Sequence, residues 1–414
     1  MPERAPGAPR PKLFNLIHDV VEAGTCSACG ACVVACPYGI LQYVDGRPEA
    51  MDPKLRGRFE GQLGGLIIGG RPQDFCMISE NVGCDMCARA CPKLELPKER
   101  FETFMFGRVA SDEEREDLGI YQFIEFTRTT DERIRPRAQD GGFVTTLLVW
   151  ALEQGIIDGA VVTRVDPDEP CKPKPFVATT PEEILMSAGS WYTYSPNTLG
   201  LMEAAERGLK RVAFVGTPCQ VTPLRRIQTV DLGDFVLVDP GEKNFLRQHG
   251  HVTKVRDMIA FTVGLLCSET FVYEGLMKKY IEGELGIPLT DVAKFNIKGK
   301  VLVYRKSGEV VSIPLKDAVP YARPECSFCG DFSSEEADIS VGGVGTNGWS
   351  LTMPRTKLGL SLYEQLKASG LIEAKPADEF PKSVEVAKKL AQKQRERRRK
   401  AYEARARGEK PGAH

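Results

Sequence analysis

The pattern of apolar and polar positions changes near residue 105. Beyond it, short apolar runs alternate with amphipathic stretches. GGFVTTLLVWALEQG reads as a helix with glycine at both ends, IIDGAVVT as a strand, NTLGLMEAAERG as a second helix and RVAFVG as a second strand. DMIAFTVGLLC reads as a buried strand, SETFVYEGLMKKYIEGEL as a helix, and AKFNIKGKVLVYRKSGEVVSIPL as several short strands turning at SGE. This alternation predicts an α/β (α+β) domain with a mixed sheet over residues 105–380. Residues 21–104 lack the rhythm and read as a small separate module, and residues 1–20 as a proline-rich flexible lead. Within the module, GQLGGLIIGG carries too many glycines for a stable helix and reads as loop and short strand.

Charge separates one further segment. The formal net charge of −1 conceals a tail, residues 382–414, with twelve Lys and Arg against four Glu, leaving −9 on the remainder. With few apolar residues, 381–414 reads as a basic, solvated and partly frayed helix rather than a nucleic-acid arm; docking on an acidic partner is the functional alternative. At 42% apolar the 414 residues are ordinary for a globular chain of two or more domains. No run approaches the ~20 apolar residues of a membrane span, and the first twenty residues lack a signal-peptide core. The expected location is the cytoplasm, free or peripheral to a membrane complex.

Thirteen cysteines in a reducing compartment point to metal ligation. CSACGACVVACP places Cys26, Cys29, Cys32 and Cys36 at ferredoxin spacing with proline closing the run. A second run follows with an insertion after its first member: Cys76, then Cys84, Cys87 and Cys91, again followed by proline. Pairing as in two-cluster ferredoxins gives Cys26, Cys29, Cys32 and Cys91 to one [4Fe-4S] cube and Cys36, Cys76, Cys84 and Cys87 to the other. Zinc is the alternative, but only four histidines are present, at 18, 249, 251 and 414. In the large domain Cys219 follows one strand, Cys267 ends another, and Cys326 and Cys329 form a CxxC pair. Ends of strands in open α/β sheets are where ligands gather, so these four suggest a third iron–sulfur site. Cys171 is left over.

At this point a family resemblance emerges. RAQDGGFVTTLL, GSWYTYSPN, VGTPCQVTPLRRI, GLLCSETF, KFNIKGK and ECSFCGDFSSEEADISVGGVGTNGWSLTMPRT resemble, in order, the motifs of the family of coenzyme F420 hydrogenase/dehydrogenase beta subunits, over about residues 110–375. The resemblance implies an FAD protein exchanging hydride with coenzyme F420, its third [4Fe-4S] cluster held by Cys219, Cys267, Cys326 and Cys329. It implies flavin or substrate contacts at Gln139, Gly141, Gly142, Val144, Thr145, Ser190, Tyr192, Ser195, Thr217, Pro218, Gln220, Lys294 and Lys298. The preceding ferredoxin-like module is similar to that of F420H2 dehydrogenase input subunits and of the first half of F420-dependent sulfite reductase. Asp140 and Trp191 depart from the family, standing where Ser and Lys are common.

Each contact has a plainer alternative. Gly141 and Gly142 let backbone approach a ring or phosphate at a helix start, or form a plain turn. Lys294, Lys298 and Lys300 neutralise phosphate or the acidic tail of the coenzyme, or are solvated strand lysines. Tyr192 and Tyr194 stack on an isoalloxazine ring, or divide between core and surface. Gly343, Gly345 and Gly348 spell GxGxxG after ADISV, but Pro354 falls where a dinucleotide-binding helix should run; the glycines are assigned instead to lining the flavin or its neighbouring cluster.

The leading functional reading is an F420H2-oxidising, or F420-reducing, iron–sulfur flavoprotein passing electrons to or from a redox partner of dehydrogenase, hydrogenase, heterodisulfide reductase or ferredoxin type. The alternatives are a ferredoxin-dependent reductase of another substrate on the same fold, a non-catalytic electron-transfer subunit, and a zinc-stabilised interaction protein.

Overall fold

A computed structural model of the protein describes residues 11–50, 84–94, 98–229 and 242–409. Cys76 and the GQLGGLIIGG segment lie outside the described residues. The first ordered turns are Leu13–Asn15 and Leu16–Glu22, whose Leu13, Leu16, Ile17 and Val20 are buried against Cys32, Ala88 and Cys91. Residues 13–20, expected in the flexible lead, are therefore helical, because apolar side chains at helical spacing have a face to cover.

Two short strands, β1 (Leu41–Val44) and β2 (Arg47–Ala50), make an antiparallel hairpin. The short helices Ala31–Val34 and Met86–Ala90, each bearing cysteines of one run, pack on each other. Gly30 precedes the first with φ 81°, and a Cβ there would meet Leu199 Cδ2 at 2.7 Å, so no other residue fits without strain.

The large sheet draws on β3 (Glu125–Thr129), β4 (Gly159–Val165), β5 (Pro173–Ala178), β6 (Val212–Gly216), β7 (Ile259–Leu265), and, after a long excursion, β11 (Ile339–Gly342), β12 (Ser350–Pro354) and β13 (Ile372–Pro376). The excursion holds a three-stranded antiparallel meander of β8 (Val292–Ile297), β9 (Lys300–Arg305) and β10 (Val310–Pro314). The eight strands are ordered β13-β3-β12-β11-β7-β6-β4-β5. The central four, β4, β6, β7 and β11, run parallel, with antiparallel strands on both flanks. The mixed sheet expected from the alternating pattern is thus present, and the parallel strands read as near-continuous apolar runs because helices cover both faces.

The predicted helices fall at Phe143–Glu153, Gly200–Glu206 and Tyr273–Glu284. After GxGxxG the chain enters strand β12 rather than a helix, in keeping with the Pro354 argument. Helix Pro381–Ala406 is 26 residues long and not merely solvated: Ser383, Ala387, Ala391, Gln394, Ala401 and Ala404 are buried along one side. It is fixed by ion pairs from Lys388 to Asp117 (2.6 Å), Arg395 to Glu335 (2.7 Å) and Arg397 to Glu269 (2.9 Å). Three of the cations that suggested a free tail find carboxylate partners on the body of the same chain.

Candidate functional site

The carboxyl ends of β6 and β7 carry the first two cysteines of the third group. Gly216 ends β6; Thr217 then starts helix Pro218–Gln228, placing Cys219 in its first turn, where unpaired backbone amides favour a thiolate. Thr217 N donates to Gln220 Oε1 at 3.1 Å, completing that cap. Cys267 follows β7, its amide donating to Phe332 O at 2.9 Å. The excursion returns through the turn Pro324–Phe328, delivering Cys326 and Cys329 to the same cavity as Cys219 and Cys267. Thr217, Pro218, Arg323 and Gln394 of the long helix also line it.

Burial pushes the Cys219 thiol up to about 11, with Cys329 and Cys326 adding to the effect, and raises Cys267 and Cys326 for the same reason. Thr217 Oγ1 lies 3.3 Å from Cys219 Sγ and Thr270 Oγ1 3.8 Å from Cys326 Sγ. Four half-buried thiols lining one cavity form a donor set suited to an iron–sulfur cluster, since coordination removes the protons that partial burial otherwise retains. Among the described residues, no three His, Cys, Asp or Glu side chains close on a point as a single-ion site requires.

The first run behaves similarly. Burial raises Cys26, Cys29, Cys32 and Cys91, and Cys91 acts electrostatically on the other three, so the set paired from spacing is one neighbourhood. Ala28 N donates to Cys26 Sγ at 3.4 Å. Cys36 and Cys84 both act on Tyr38, which marks a second neighbourhood; Cys36 Sγ accepts from Ile40 N at 3.3 Å. Helix Glu242–Met258 clamps this loop: Arg247 donates to Pro37 O (2.9 Å), Gln248 to Tyr38 Oη (3.0 Å), and His251 Nε2 sits 2.7 Å from Val34 O. Arg226 reaches the carbonyls of Cys91 and Leu94.

The residues expected at the flavin divide into two sets. Gln139, Tyr192, Lys294 and Lys298 meet beside the first turn of Phe143–Glu153. Gln139 Nε2 donates to Tyr192 Oη (3.0 Å) and Phe295 O (2.9 Å), Ile297 N donates to Tyr192 Oη (3.2 Å), and Lys294 Nζ donates to Ala138 O (2.8 Å). Lys298 Nζ pairs with Asp140 (3.2 Å) and donates to Thr346 O and Asn347 Oδ1, each at 2.7 Å, tying this region to the Gly343–Gly348 loop. Asp140, the departure from family pattern, thus has a partner; Trp191, the other, lies edge-on to Phe295 at 6.0 Å. Val144 is half-buried, Thr145 is buried, and Ser190 is half-buried in the loop leading to Tyr192.

Ser195, Thr217, Pro218 and Gln220 form the second set. Ser195 Oγ donates to Asn197 Oδ1 (2.7 Å), Asn197 Nδ2 donates to Val215 O (2.9 Å), and Gln220 Nε2 donates to Ser195 O, locking the loop to the end of β6. Gly141 differs from its expected role of open approach: a Cβ would strike Thr127 O at 2.0 Å, so protein packing alone requires glycine there. Gly142 has φ 78° and is likewise packed, with a Cβ meeting Thr129 Cγ2 at 3.0 Å.

Buried side-chain polar atoms without a hydrogen-bond partner among the described residues include Gln139 Oε1, Thr193 Oγ1 and Tyr194 Oη. Buried polar atoms are normally satisfied, and orphans in the loops that carry these residues suit a bound polar ligand. Beside Tyr194 runs a solvent-open groove of about 500 Å³, lined by Ala28, Tyr43, Arg47, Lys172, Lys174, Tyr194 and Arg323. Sequence reasoning missed this groove and Arg323; their components lie far apart in the chain. Cys171 stays outside every group, buried with its Sγ 3.4 Å from Leu289 O.

Comparison with known proteins settles the family. For the coenzyme F420 hydrogenase/dehydrogenase beta subunit, residues 126–201 match the family model of the N-terminal part and residues 209–380 that of the C terminus. The coenzyme F420 hydrogenase subunit beta of Methanosarcina barkeri is 38% identical over 291 residues, 70% of this chain and 93% of the relative. The chain belongs to the family of coenzyme F420 hydrogenase/dehydrogenase beta subunits. It is an oxidoreductase of that family. A chain of the solved F420-reducing [NiFe] hydrogenase complex from Methanosarcina barkeri matches the fold with a TM-score of 0.61 at 37% identity, over 70% of this chain and 93% of the other. A subunit of the F(420)H(2) dehydrogenase of Methanosarcina mazei is 30% identical over 354 residues, 85% of each chain. The coenzyme F420-dependent sulfite reductase of Methanocaldococcus jannaschii is 33% identical over 391 residues, covering 94% of this chain but 53% of that enzyme. Among the described residues no helix is long and apolar enough to cross a membrane.

Proposed function

We propose that the chain passes electrons between coenzyme F420 and a partner redox protein, by way of bound FAD and three [4Fe-4S] sites. The observation that carries this reading is the gathering of Cys219, Cys267, Cys326 and Cys329 at the ends of β6 and β7, beside the Cys26 neighbourhood. A bound flavin supplies the exchange between a hydride and single electrons, and the clusters carry the electrons singly.

The chain's own work is to hold and to orient. Gln139 and Thr193 offer unsatisfied polar atoms to a ring edge, while Lys294 and Lys298 bring positive charge toward phosphate or the acidic coenzyme tail. Tyr192, fixed from three sides, holds the loop between the two sets. Thr217 and Thr270 place hydroxyls near sulfur, one of the levers on a cluster potential. The hydrogenase and dehydrogenase names of the relatives support a protein partner in a redox complex.

The test is anaerobic. The purified protein is assayed for iron, sulfide and flavin, then mixed with F420H2 while flavin and cluster absorbance are followed. Bleaching of a flavin protein with about twelve irons is the expected outcome. Flavin and iron with no response to F420H2 would transfer the site to another substrate, and a protein that binds no flavin would leave only an electron-transfer role.

A further inference from the structure

The Cys219 and Cys26 groups are bridged by two side chains. Arg323 lays its guanidinium over the Tyr194 ring, Cζ 3.9 Å from the ring centre, and donates through Nη2 to Ser27 O at 3.2 Å. Ser27 lies between Cys26 and Cys29 in the first run. On its other side Arg323 belongs to the Cys326 turn: its carbonyl accepts from Cys326 N at 3.0 Å, and its amide donates to Thr270 O at 2.9 Å. The side chain is 11% exposed, and Glu325 Oε2, at 3.9 Å, is beyond hydrogen-bond reach. A single cation thus touches the loops of both cysteine groups, with Glu325 as its ion-pair partner at 3.9 Å.

We propose that Arg323 is a charge shared by these two iron–sulfur sites, holding both reduction potentials up together and so setting the potential at which electrons enter the pair, with Tyr194 as its seat. The inference rests on the cluster content proposed above. Reduction of either site adds one negative charge, and a fixed cation in a poorly screened interior favours that charge at both. In the step, one electron leaves the Cys219 site and one arrives at the Cys26 site; no atom moves. Because one guanidinium acts on donor and acceptor together, it raises both potentials while changing little of the difference between them. Arginine keeps its proton throughout, so the control does not depend on pH.

The experiment is a dithionite titration of the anaerobic full-length protein, followed by electron paramagnetic resonance, in the wild type, Arg323→Gln and Arg323→Lys. In Arg323→Gln, at fixed potential, the reduced-to-oxidised ratio of two of the three signals should fall about tenfold, equivalent to 59 mV for a one-electron couple. The third signal, from the site of Cys36, Cys84 and Cys87, should not move, and Arg323→Lys should recover most of the change. Unchanged potentials in Arg323→Gln, all three moving together, or Lys falling as far as Gln would each overturn the proposal. A wild type without iron–sulfur signals would overturn the proposed function as well, so the two failures are distinct. Should Arg323→Gln not accumulate folded, Tyr194→Leu removes the seat and should lower the same two potentials; no shift there refutes the idea equally.

Discussion

Replacing Ala391 with glutamate probes the contact that seals the third cysteine group. Ala391 is 1% exposed and belongs to the apolar cluster of Leu118, Phe126, Phe332, Val344, Leu351, Met353 and Ala387. A buried carboxyl protonates rather than remain charged, and the neutral group still costs about 1–3 kcal/mol without a hydrogen bond. Overpacking adds about 1–3 kcal/mol, for a total of about 2–6 kcal/mol. Glutamate is a good helix former, so the helix itself survives and the cost falls on docking. At about 1.4 kcal/mol per tenfold, the undocked population should rise between about thirtyfold and twenty-thousandfold. Limited trypsin digestion reads that population when opening and closing are fast relative to cleavage, and the tail is rich in Lys and Arg. Cleavage after Lys388, Lys389 or Lys393 should accelerate accordingly, with faster loss of iron, because undocking removes Gln394 from the cysteine cavity and Arg397 from Ser268 O. Gln392→Glu, on the exposed side of the same helix, should leave the rate near that of the parent. Equal protection of Ala391→Glu and the parent would refute the docked arrangement.

Two further outcomes follow from the same contacts. Gly30→Ala should cost about 1–3 kcal/mol for its positive φ, plus the displacement of Leu199; chelator extraction should then strip iron faster, and adding Leu199→Ala should restore only part of the difference. Burial works against ionisation of Glu335, but Lys98 and Arg395 outweigh it and hold the carboxyl down at about 2. Its folded value lies below the ordinary one of about 4.3, so its contribution to stability is complete above that pH and is lost as pH falls toward about 2. Glu335→Gln should lower stability at neutral pH and flatten the acid limb of a denaturation profile; an unchanged acid limb would count against the pairing.

The parallel strands and their helices were legible because their periods are local, and the GxGxxG run was set aside correctly because a single proline forbade the helix. Spacing alone already suggested that Cys26, Cys29, Cys32 and Cys91 share one neighbourhood, since short loops bring CxxC neighbours together, whereas Cys87 of the second run packs with Cys32 and Cys91. The tail misled because its alanines count little in an apolar tally; the signal was Ala387 and Ala391, then Ala401 and Ala404, on one face of a long helix. At Gly141 the sequence tells that glycine is needed, and the structure adds that the neighbouring strand alone already requires it. Arg323 and Tyr194 were invisible as a pair, because only the return of the excursion between β7 and β11 stacks one upon the other.

That excursion also orders events in time. Cys26, Cys29, Cys32 and Cys91 emerge from the ribosome early and close together. The site at the ends of β6 and β7 cannot close until the chain has passed Cys329. At roughly 5–20 residues per second, the interval between Cys91 and Cys329 is on the order of tens of seconds, and helix Pro381–Ala406 is made later still. The thiols therefore become available in succession. While the third group stands open, the element that will cover it does not yet exist, so its four thiols stay accessible for that interval.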